Sequence, residues 1–140
     1  MPGVETYLTF NGNCADAMRF YEKALGATVE YMMTHGESPM ADKAPADFKD
    51  KVMHSSVMID GHRLMASDPM PGQPYHGMHG FTLSLAYPTV AEGEKIFDAL
   101  AEGGHVVMPM QETFWVERWG NVIDKFGTPW MVNAGESRMG

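Results

Sequence analysis

The chain has 140 residues, carries a formal net charge of −8 at pH 7, and contains 44% hydrophobic and 11% aromatic residues. This length and composition predict one globular domain that buries enough apolar surface to fold unaided, and they exclude a disordered chain. The negative charge is spread without blocks, which argues against nucleic acid and membranes as partners, and no apolar run approaches membrane-spanning length.

The first half of the chain predicts one strand, one helix and then three more strands. The helix follows a strand at residues 6–10, begins after Asn13 as its capping residue and ends at Gly26. Its apolar stripe consists of Ala17, Phe20, Tyr21 and Ala24. The later strands are predicted at residues 28–34, 52–59 and 63–66. The polar segment 35–50 is too long for a hairpin and is expected to be either a mobile lid or a dimer contact.

The second half repeats this order after a linker rich in proline and glycine. Its helix follows a strand at residues 81–87, begins after Thr89 with Glu92 completing a capping box, and ends at Gly103. Its stripe consists of Gly93, Ile96, Phe97 and Leu100. Its later strands are predicted at residues 105–110, 115–122 and 130–133.

The two halves are an internal repeat, because the cap and all four stripe positions of the first helix map onto the second helix by one shift of 76 residues. The pattern is therefore βαβββ twice. We predict a single α+β domain over residues 1–140, with module one at residues 1–68, a linker at residues 69–79 and module two at residues 80–140.

This arrangement resembles the vicinal oxygen chelate superfamily, which includes glyoxalase I, extradiol dioxygenases and the bleomycin- and fosfomycin-resistance proteins. Three segments resemble its PhnB-like branch: NGNCADAMRFYEKALG, KVMHSSVMIDGHRLMASD and QETFWVERWGNVIDKFGTPWMVN. The resemblance implies a glyoxalase/bleomycin-resistance-like fold, in which each module forms a curled, four-stranded mixed sheet and the ligand sits inside the cup. It also implies pairing of modules within or between chains, and we therefore expect a homodimer.

The resemblance also implies where a metal would be held. Metal-dependent members of the superfamily place His or Glu on the first and last strands of the modules. Aligned by the helix caps, these positions hold Thr6 or Tyr7, Phe81 or Thr82, Met65 and Met131. Such side chains do not supply the imidazole and carboxylate ligands that a divalent metal site needs. We therefore predict no metal ligands and no cofactor.

The stretch 108–133 holds all three tryptophans of the protein, and its aromatic strands with a few polar tips resemble the lining of a ligand site. Burial in the core is an equally common fate for any one of these rings. The predicted ligand-binding residues are Tyr7, His54, Gln111, Phe114, Trp119 and Trp130. Neighbours on a strand point to opposite faces, so Phe114 and Trp115 cannot both point inward. We place Phe114 inward beside Gln111.

The histidines outside this set are weaker candidates. His76 and His79 lie in a glycine-rich loop and are expected to be solvated. His79 would replace a missing metal ligand only if strand pairing extended back to it. Even His54, in the middle of a strand, is of a kind that is more often structural.

The single cysteine, Cys14, excludes an intrachain disulfide and is typical of a reducing cytoplasm. It occupies the first position of a helix, where the dipole would lower the thiol pKa. No His or Lys neighbours it in sequence, so a small buried residue is favoured over a nucleophile. Asp68 and Asp124 each precede a turn that contains proline or glycine, and they are expected to cap it.

Two functions remain open. The first is a small-molecule-binding protein without the usual metal chelate, holding an apolar or aromatic ligand. The second is a metal-dependent isomerase, lyase or dioxygenase-type enzyme, with a divalent metal held by His54, His79 and a carboxylate such as Glu112. Elemental analysis of the purified protein would separate the two.

Overall fold

The computed structural model of the protein describes residues 3–138, and its elements follow the order βαβββ twice, which confirms the predicted α+β fold. The chain divides into two units, the first ending at Gly77 and the second beginning at Met78. In the described part of the chain, no helix is long and apolar enough to cross a membrane.

Module one contains a four-stranded sheet and one helix. Its elements are β1 (Thr6–Thr9), α1 (Cys14–Leu25), β2 (Thr28–Thr34), β3 (Val52–Ile59) and β4 (His62–Ser67). The strand order is β1-β4-β3-β2, with β1 parallel to β4 and the other pairs antiparallel. The segment between β2 and β3 forms three single-turn 3₁₀ helices, His35–Glu37, Ala41–Lys43 and Ala46–Phe48.

Module two repeats this topology. Its elements are β5 (Leu83–Tyr87), α2 (Val90–Ala101), β6 (His105–Gln111), β7 (Val116–Ile123) and β8 (Pro129–Ser137). The strand order is β5-β8-β7-β6, again with only the first pair parallel. The predicted strands agree with these elements to within a few residues at their ends, the largest difference being the extension of β8 to Ser137.

The two helices begin with different caps. Thr89 caps α2 as predicted, because its hydroxyl oxygen accepts from the backbone N–H of Glu92 at 3.2 Å. Asn13 stands at the N-cap position of α1, but its side chain makes no capping hydrogen bond and its Oδ1 has no partner among residues 3–138. Instead, the Asp68 carboxylate accepts from the backbone N–H of Cys14 at 3.0 Å. A residue distant in sequence therefore caps α1.

Each helix packs on one face of its own sheet, and small residues set the distance in module two. A Cβ atom added at Gly93 of α2 would come within contact of the Cβ of Ala134 on β8, and one at Gly120 on β7 would meet the ring of Phe97. The buried side chains of module two on this face include Val122, Trp130 and Val132. Glycine at positions 93 and 120 thus allows α2 to lie close against the sheet.

Candidate functional site

The face of each sheet that its own helix does not cover is called here the open face of that module. In module one, Leu8, Ser55 and Leu64 lie on the helix side, where Ser55 Oγ is 3.5 Å from Sγ of Cys14. Because side chains alternate along a strand, Tyr7 and His54 lie on the open face. The structure therefore places both residues on one face, and their role in ligand binding stays a prediction.

Three rings form a cluster on the open face of module one. The Tyr7 and His54 rings stack with centroids 5.7 Å apart, and the Tyr31 ring lies 5.9 Å from that of His54. The Tyr7 hydroxyl is 3.2 Å from Nδ1 of His54. Tyr7 is 48% exposed and Tyr31 is 46% exposed, so about half of each of these two large side chains is accessible to solvent. When Nδ1 is unprotonated, the Tyr7 hydroxyl donates to it and Nε2 of His54 carries the ring proton.

Charged side chains occupy another part of the same face. The Arg63 guanidinium donates to the Glu30 carboxylate at 3.0 Å and lies 3.6 Å from that of Glu5. Hydrogen bonding to Glu30, together with the two nearby negative charges, raises the pKa of Arg63 above its ordinary value. Ser56 Oγ donates to Glu30 at 3.4 Å. Two carboxylates around one guanidinium leave this part of the open face with a net negative charge.

The strand positions at which the resemblance implies metal ligands agree in module one with those aligned by the helix caps, but differ in module two. In module one, Tyr7 pairs with Met65 as expected. In module two, the partner of Met131 is Ser84, whereas Phe81 and Thr82 precede β5. The alignment was wrong there because the strand-to-helix connection is one residue shorter. Cys14 follows Leu8 by six residues, and Val90 follows the equivalent Leu85 by five.

No metal-ligand group is assembled in the part of the chain that is described. Among residues 3–138, no three His, Cys, Asp or Glu side chains are grouped closely enough to hold a metal ion. His79 lies outside the strands and is exposed, so pairing does not extend back to it. Glu112 instead accepts from the Arg138 guanidinium at 2.7 Å, which holds the pKa of Glu112 below its usual range.

The open face of module two carries Trp119. The neighbouring Gly120 lies on the helix side against Phe97, so alternation directs Trp119 to the opposite face, beside its strand partner Gln111. The Gln111 side chain donates to the carbonyl of Pro109 at 3.1 Å. Gln111, which was expected beside Phe114, therefore stands beside Trp119 on this face.

The orientation predicted for Phe114 is wrong. Trp115 packs edge-on against Trp119 with centroids 5.7 Å apart, while Phe114 packs edge-on against Trp115 with centroids 5.0 Å apart and is 75% exposed. Strand alternation does not apply here, because β7 begins only at Val116. The preceding residues form a turn in which the backbone N–H of Val116 donates to the Thr113 hydroxyl at 3.1 Å.

The prediction that Trp130 lies on the open face is also wrong. Trp130 pairs with Val122 and is 1% exposed on the helix side of the sheet. Its indole N–H donates to the Asp124 carboxylate at 2.8 Å. This hydrogen bond satisfies the polar atom of the ring inside the core, so Trp130 is a structural residue.

Cys14 is buried, in agreement with the sequence interpretation. Its pKa, however, is not lowered by the helix. Burial in apolar surroundings raises the pKa of the thiol to about 12, and the nearby Asp68 charge adds to this effect, although the hydrogen bond to Ser55 opposes it. A thiol that stays protonated is not a nucleophile at neutral pH.

Sequence reasoning missed two residues of these faces, Tyr31 and Trp115. The register of β2 shifts between Val29 and Tyr31, so simple alternation assigns Tyr31 to no consistent face. The available signal is an aromatic residue within the strand predicted at residues 28–34. Trp115 is not among the predicted residues, because a strand that begins at residue 115 directs Trp115 to the face opposite Phe114.

Comparison with known proteins is consistent across sequence and structure. A sequence model of the Glyoxalase/Bleomycin resistance protein/Dioxygenase superfamily matches residues 3–132. The chain is 43% identical over 137 residues to Protein YjdN of Escherichia coli (strain K12), covering 91% of this chain and 92% of that protein.

Two solved structures share the topology. Protein PA1353 from Pseudomonas aeruginosa is 45% identical, with a TM-score of 0.88 and coverage of 96% of this chain and 98% of that one. A structure described as a putative 3-demethylubiquinone-9 3-methyltransferase, PhnB protein, from Bacillus cereus has a TM-score of 0.79 and covers 96% of this chain and 100% of that one. Its identity of 21% supports similarity of fold alone.

Proposed function

The chain belongs to the glyoxalase/bleomycin resistance/dioxygenase superfamily, and from this premise we propose that the protein binds a planar, apolar or aromatic small molecule on the open face of module one. Members of the superfamily bind small molecules. The observation that carries the proposal is the ring cluster of module one, in which the Tyr7 and Tyr31 rings each lie within 6 Å of the His54 ring. Aromatic rings on a sheet face, with a few polar atoms among them, have the composition of a small-molecule site.

The chemistry of the cluster defines the ligand. The exposed faces of Tyr7 and Tyr31 offer stacking surfaces for a flat molecule. His54 Nε2 supplies one directional hydrogen bond, which would fix the orientation of the ligand in the plane. The carboxylates of Glu5 and Glu30 disfavour an anionic ligand near the ring cluster. We therefore propose a neutral aromatic ligand with one hydrogen-bond acceptor.

The open face of module two has similar chemistry and is proposed as a further contact surface for ligands of this kind. Trp119 and Trp115 supply stacking area, and Gln111 supplies an amide. Because tryptophan fluorescence responds to a bound ligand, Trp119 is also the natural reporter of binding to this face.

Three further properties belong to the proposal. We propose that the protein acts by binding without the usual metal chelate, since Tyr7, Met65, Ser84 and Met131 supply no imidazole or carboxylate. We also propose a homodimer, following the pairing of modules that the superfamily uses. A cytoplasmic location is proposed from the single free cysteine.

The proposal is tested by screening neutral aromatic compounds for an increase in Tm. A ligand present at 100 times its Kd stabilises the folded state by about 2.7 kcal/mol, which in a chain of this size raises Tm by roughly 5–10 °C. Hits are then titrated by calorimetry against the wild type and against His54→Ala, with His62→Ala as the matched control. His62 is an exposed histidine at the start of β4 in the same module.

We expect His54→Ala to weaken binding by about tenfold or more, and Tyr7→Phe by a smaller factor, because the phenol positions the imidazole. The His62→Ala variant should bind as the wild type does. If no neutral aromatic compound raises Tm, or if His54→Ala binds hits with unchanged affinity, the proposed site is wrong.

A further inference from the structure

Module one contains a second concavity, away from its ring cluster, which is called here the linker pocket. Three segments of module one meet there. They are the β1–α1 connection at Gly12, the chain from Phe48 at the end of the last 3₁₀ helix to Lys51, and the linker from Asp68 to Tyr75. The volume of the linker pocket is about 250 Å³. At roughly 30 Å³ per water molecule of liquid, this space equals about eight water molecules, which is the size of a small ligand with one ring.

Three side-chain donors at the linker pocket retain unused hydrogens. The Lys51 ammonium donates once, to the carbonyl of Gly12 at 3.2 Å, and has two further N–H groups. The Gln73 side-chain oxygen accepts from the backbone N–H of Met70, which leaves its amide NH₂ free. The Tyr75 hydroxyl makes no hydrogen bond within residues 3–138, and burial raises its pKa, so it remains a protonated donor at neutral pH.

The one carboxylate that borders the pocket is already engaged. One oxygen of Asp68 accepts from the backbone N–H of Cys14 at 3.0 Å, and the other accepts from that of Val52 at 2.9 Å. Asp68 therefore serves the fold and leaves the donors of the pocket to a ligand. The remaining wall is apolar, with the Phe48 ring, Pro69 and Met70.

We propose that the linker pocket is a second ligand site, which binds a small organic carboxylate carrying one compact apolar group. Lys51 pairs with the charge of the carboxylate, while Gln73 and Tyr75 donate to its oxygens. Phe48 and Met70 cover the apolar group. The ammonium and the two neutral donors thus match the carboxylate end of such a molecule, and the apolar wall matches its other end.

Benzoate has nine non-hydrogen atoms and is the probe, with benzamide as the neutral probe of the same shape. Ligands of this size bind with Kd values of about 0.1–10 mM. The full chain, labelled with ¹⁵N, is titrated with each probe while the amide resonances are followed. We expect benzoate to shift the amides of Gly12, Lys51, Met70 and Gln73, and benzamide to bind at least tenfold more weakly.

The variants assign this binding to the linker pocket. Lys51→Met removes the charge and shortens the unbranched side chain by only one atom, so it should weaken benzoate binding at least tenfold. Lys43→Met, at an exposed lysine of the same segment, is the matched control and should leave the Kd within twofold. Tyr75→Phe removes only a hydroxyl from the linker, and we expect it to raise the Kd about threefold even if Lys51→Met does not fold.

The proposal does not depend on the open face, and the two are separated by His54→Ala, which should leave benzoate binding unchanged. The linker pocket is not a carboxylate site if saturating benzoate leaves the four amides unmoved, or if its shifts map to the open face. It is also not a carboxylate site if benzamide binds as tightly as benzoate, or if Lys51→Met and Lys43→Met have the same Kd for benzoate.

Discussion

The indole N–H of Trp130 donates a hydrogen bond of 2.8 Å to one carboxylate oxygen of Asp124 within module two. The other oxygen of Asp124 accepts from the backbone N–H groups of Phe126 and Thr128, at 2.8 and 3.1 Å. One buried carboxylate thus joins the turn between β7 and β8 to the largest ring of the core. Such a group stabilises the fold only while its partners are present.

Trp130→Phe should therefore lower the free energy of unfolding by about 2–4 kcal/mol, because it removes apolar area and leaves an Asp124 oxygen without its indole partner. Trp119→Phe is the matched substitution on the open face and should cost less than about 1 kcal/mol. Urea unfolding followed by circular dichroism measures both values. Equal losses in the two variants would mean that Trp119 also belongs to the core.

The raised pKa of the Cys14 thiol predicts that alkaline pH lowers the free energy of unfolding. Its pKa is about 12 in the folded chain against an ordinary value of 9.0, so above pH 9 the unfolded chain loses the thiol proton while the folded chain keeps it. Stability is therefore lost as pH rises from 9 towards 12, at no more than about 1.4 kcal/mol per pH unit from this group. Cys14→Ala should show a shallower loss between pH 9 and 10.5.

The same thiol should also resist a disulfide-exchange reagent at pH 8 in the folded protein, and react at once in urea. Identical pH profiles of stability for the wild type and Cys14→Ala would show that the thiol titrates as it does in an unfolded chain. Rapid modification of the folded protein would show that Cys14 is accessible.

Asp68 is expected to be the most sensitive carboxylate of module one. Its two oxygens accept from the backbone N–H groups of Cys14 and Val52, and thus join the helix, the sheet and the linker. Asp68→Ala leaves two buried donors unpaired and should cost about 2–4 kcal/mol in urea unfolding. Asp50→Ala, at an exposed carboxylate, should cost less than about 0.5 kcal/mol. A loss at Asp68 no larger than at Asp50 would contradict this role.

Much of the fold is predictable because local patterns and tertiary packing agree. The helix from Thr89 needs only its own capping residues and stripe, and the structure places it as predicted. The cap of α1 is different, because Asp68 lies 54 residues away from Cys14 and no local pattern relates them. Asn13, with ψ of 26°, is not extended as a capping residue usually is.

The candidate site is less predictable than the fold, for two physical reasons. First, a difference of one residue reverses the face that a sequence pattern assigns to each side chain of a strand. The shorter connection between β5 and α2 has this effect on β5, and the register shift before Tyr31 has it on β2. Second, composition does not distinguish a buried ring from an exposed one. Trp119 and Trp130 look alike in sequence, and only the packing of α2 assigns them to opposite faces of one sheet.

We predict that protein purified without chelator holds no stoichiometric zinc, iron, nickel or manganese after gel filtration. The reason is the chemistry of Tyr7, Met65, Ser84 and Met131 at the strand positions where the superfamily places metal ligands. Elemental analysis of the purified protein is the measurement. A metal at one equivalent per chain that is lost in His54→Ala or His79→Ala would overturn the prediction and favour the metal-dependent enzyme.

We finally predict a homodimer, and the exposed edge of module two supports this. The edge strand β6 carries Val106, Val107 and Met108, each more than 40% exposed. Exposed apolar side chains on an edge strand, which has one side without a strand partner in its sheet, favour association with another chain. Light scattering at micromolar concentration should give twice the mass of the 15.5 kDa chain.

Val107→Lys should weaken the dimer, whereas Val4→Lys, at an exposed valine of module one, should not. The mass of a single chain for the wild type would refute the dimer, and unchanged association of Val107→Lys would place its interface elsewhere.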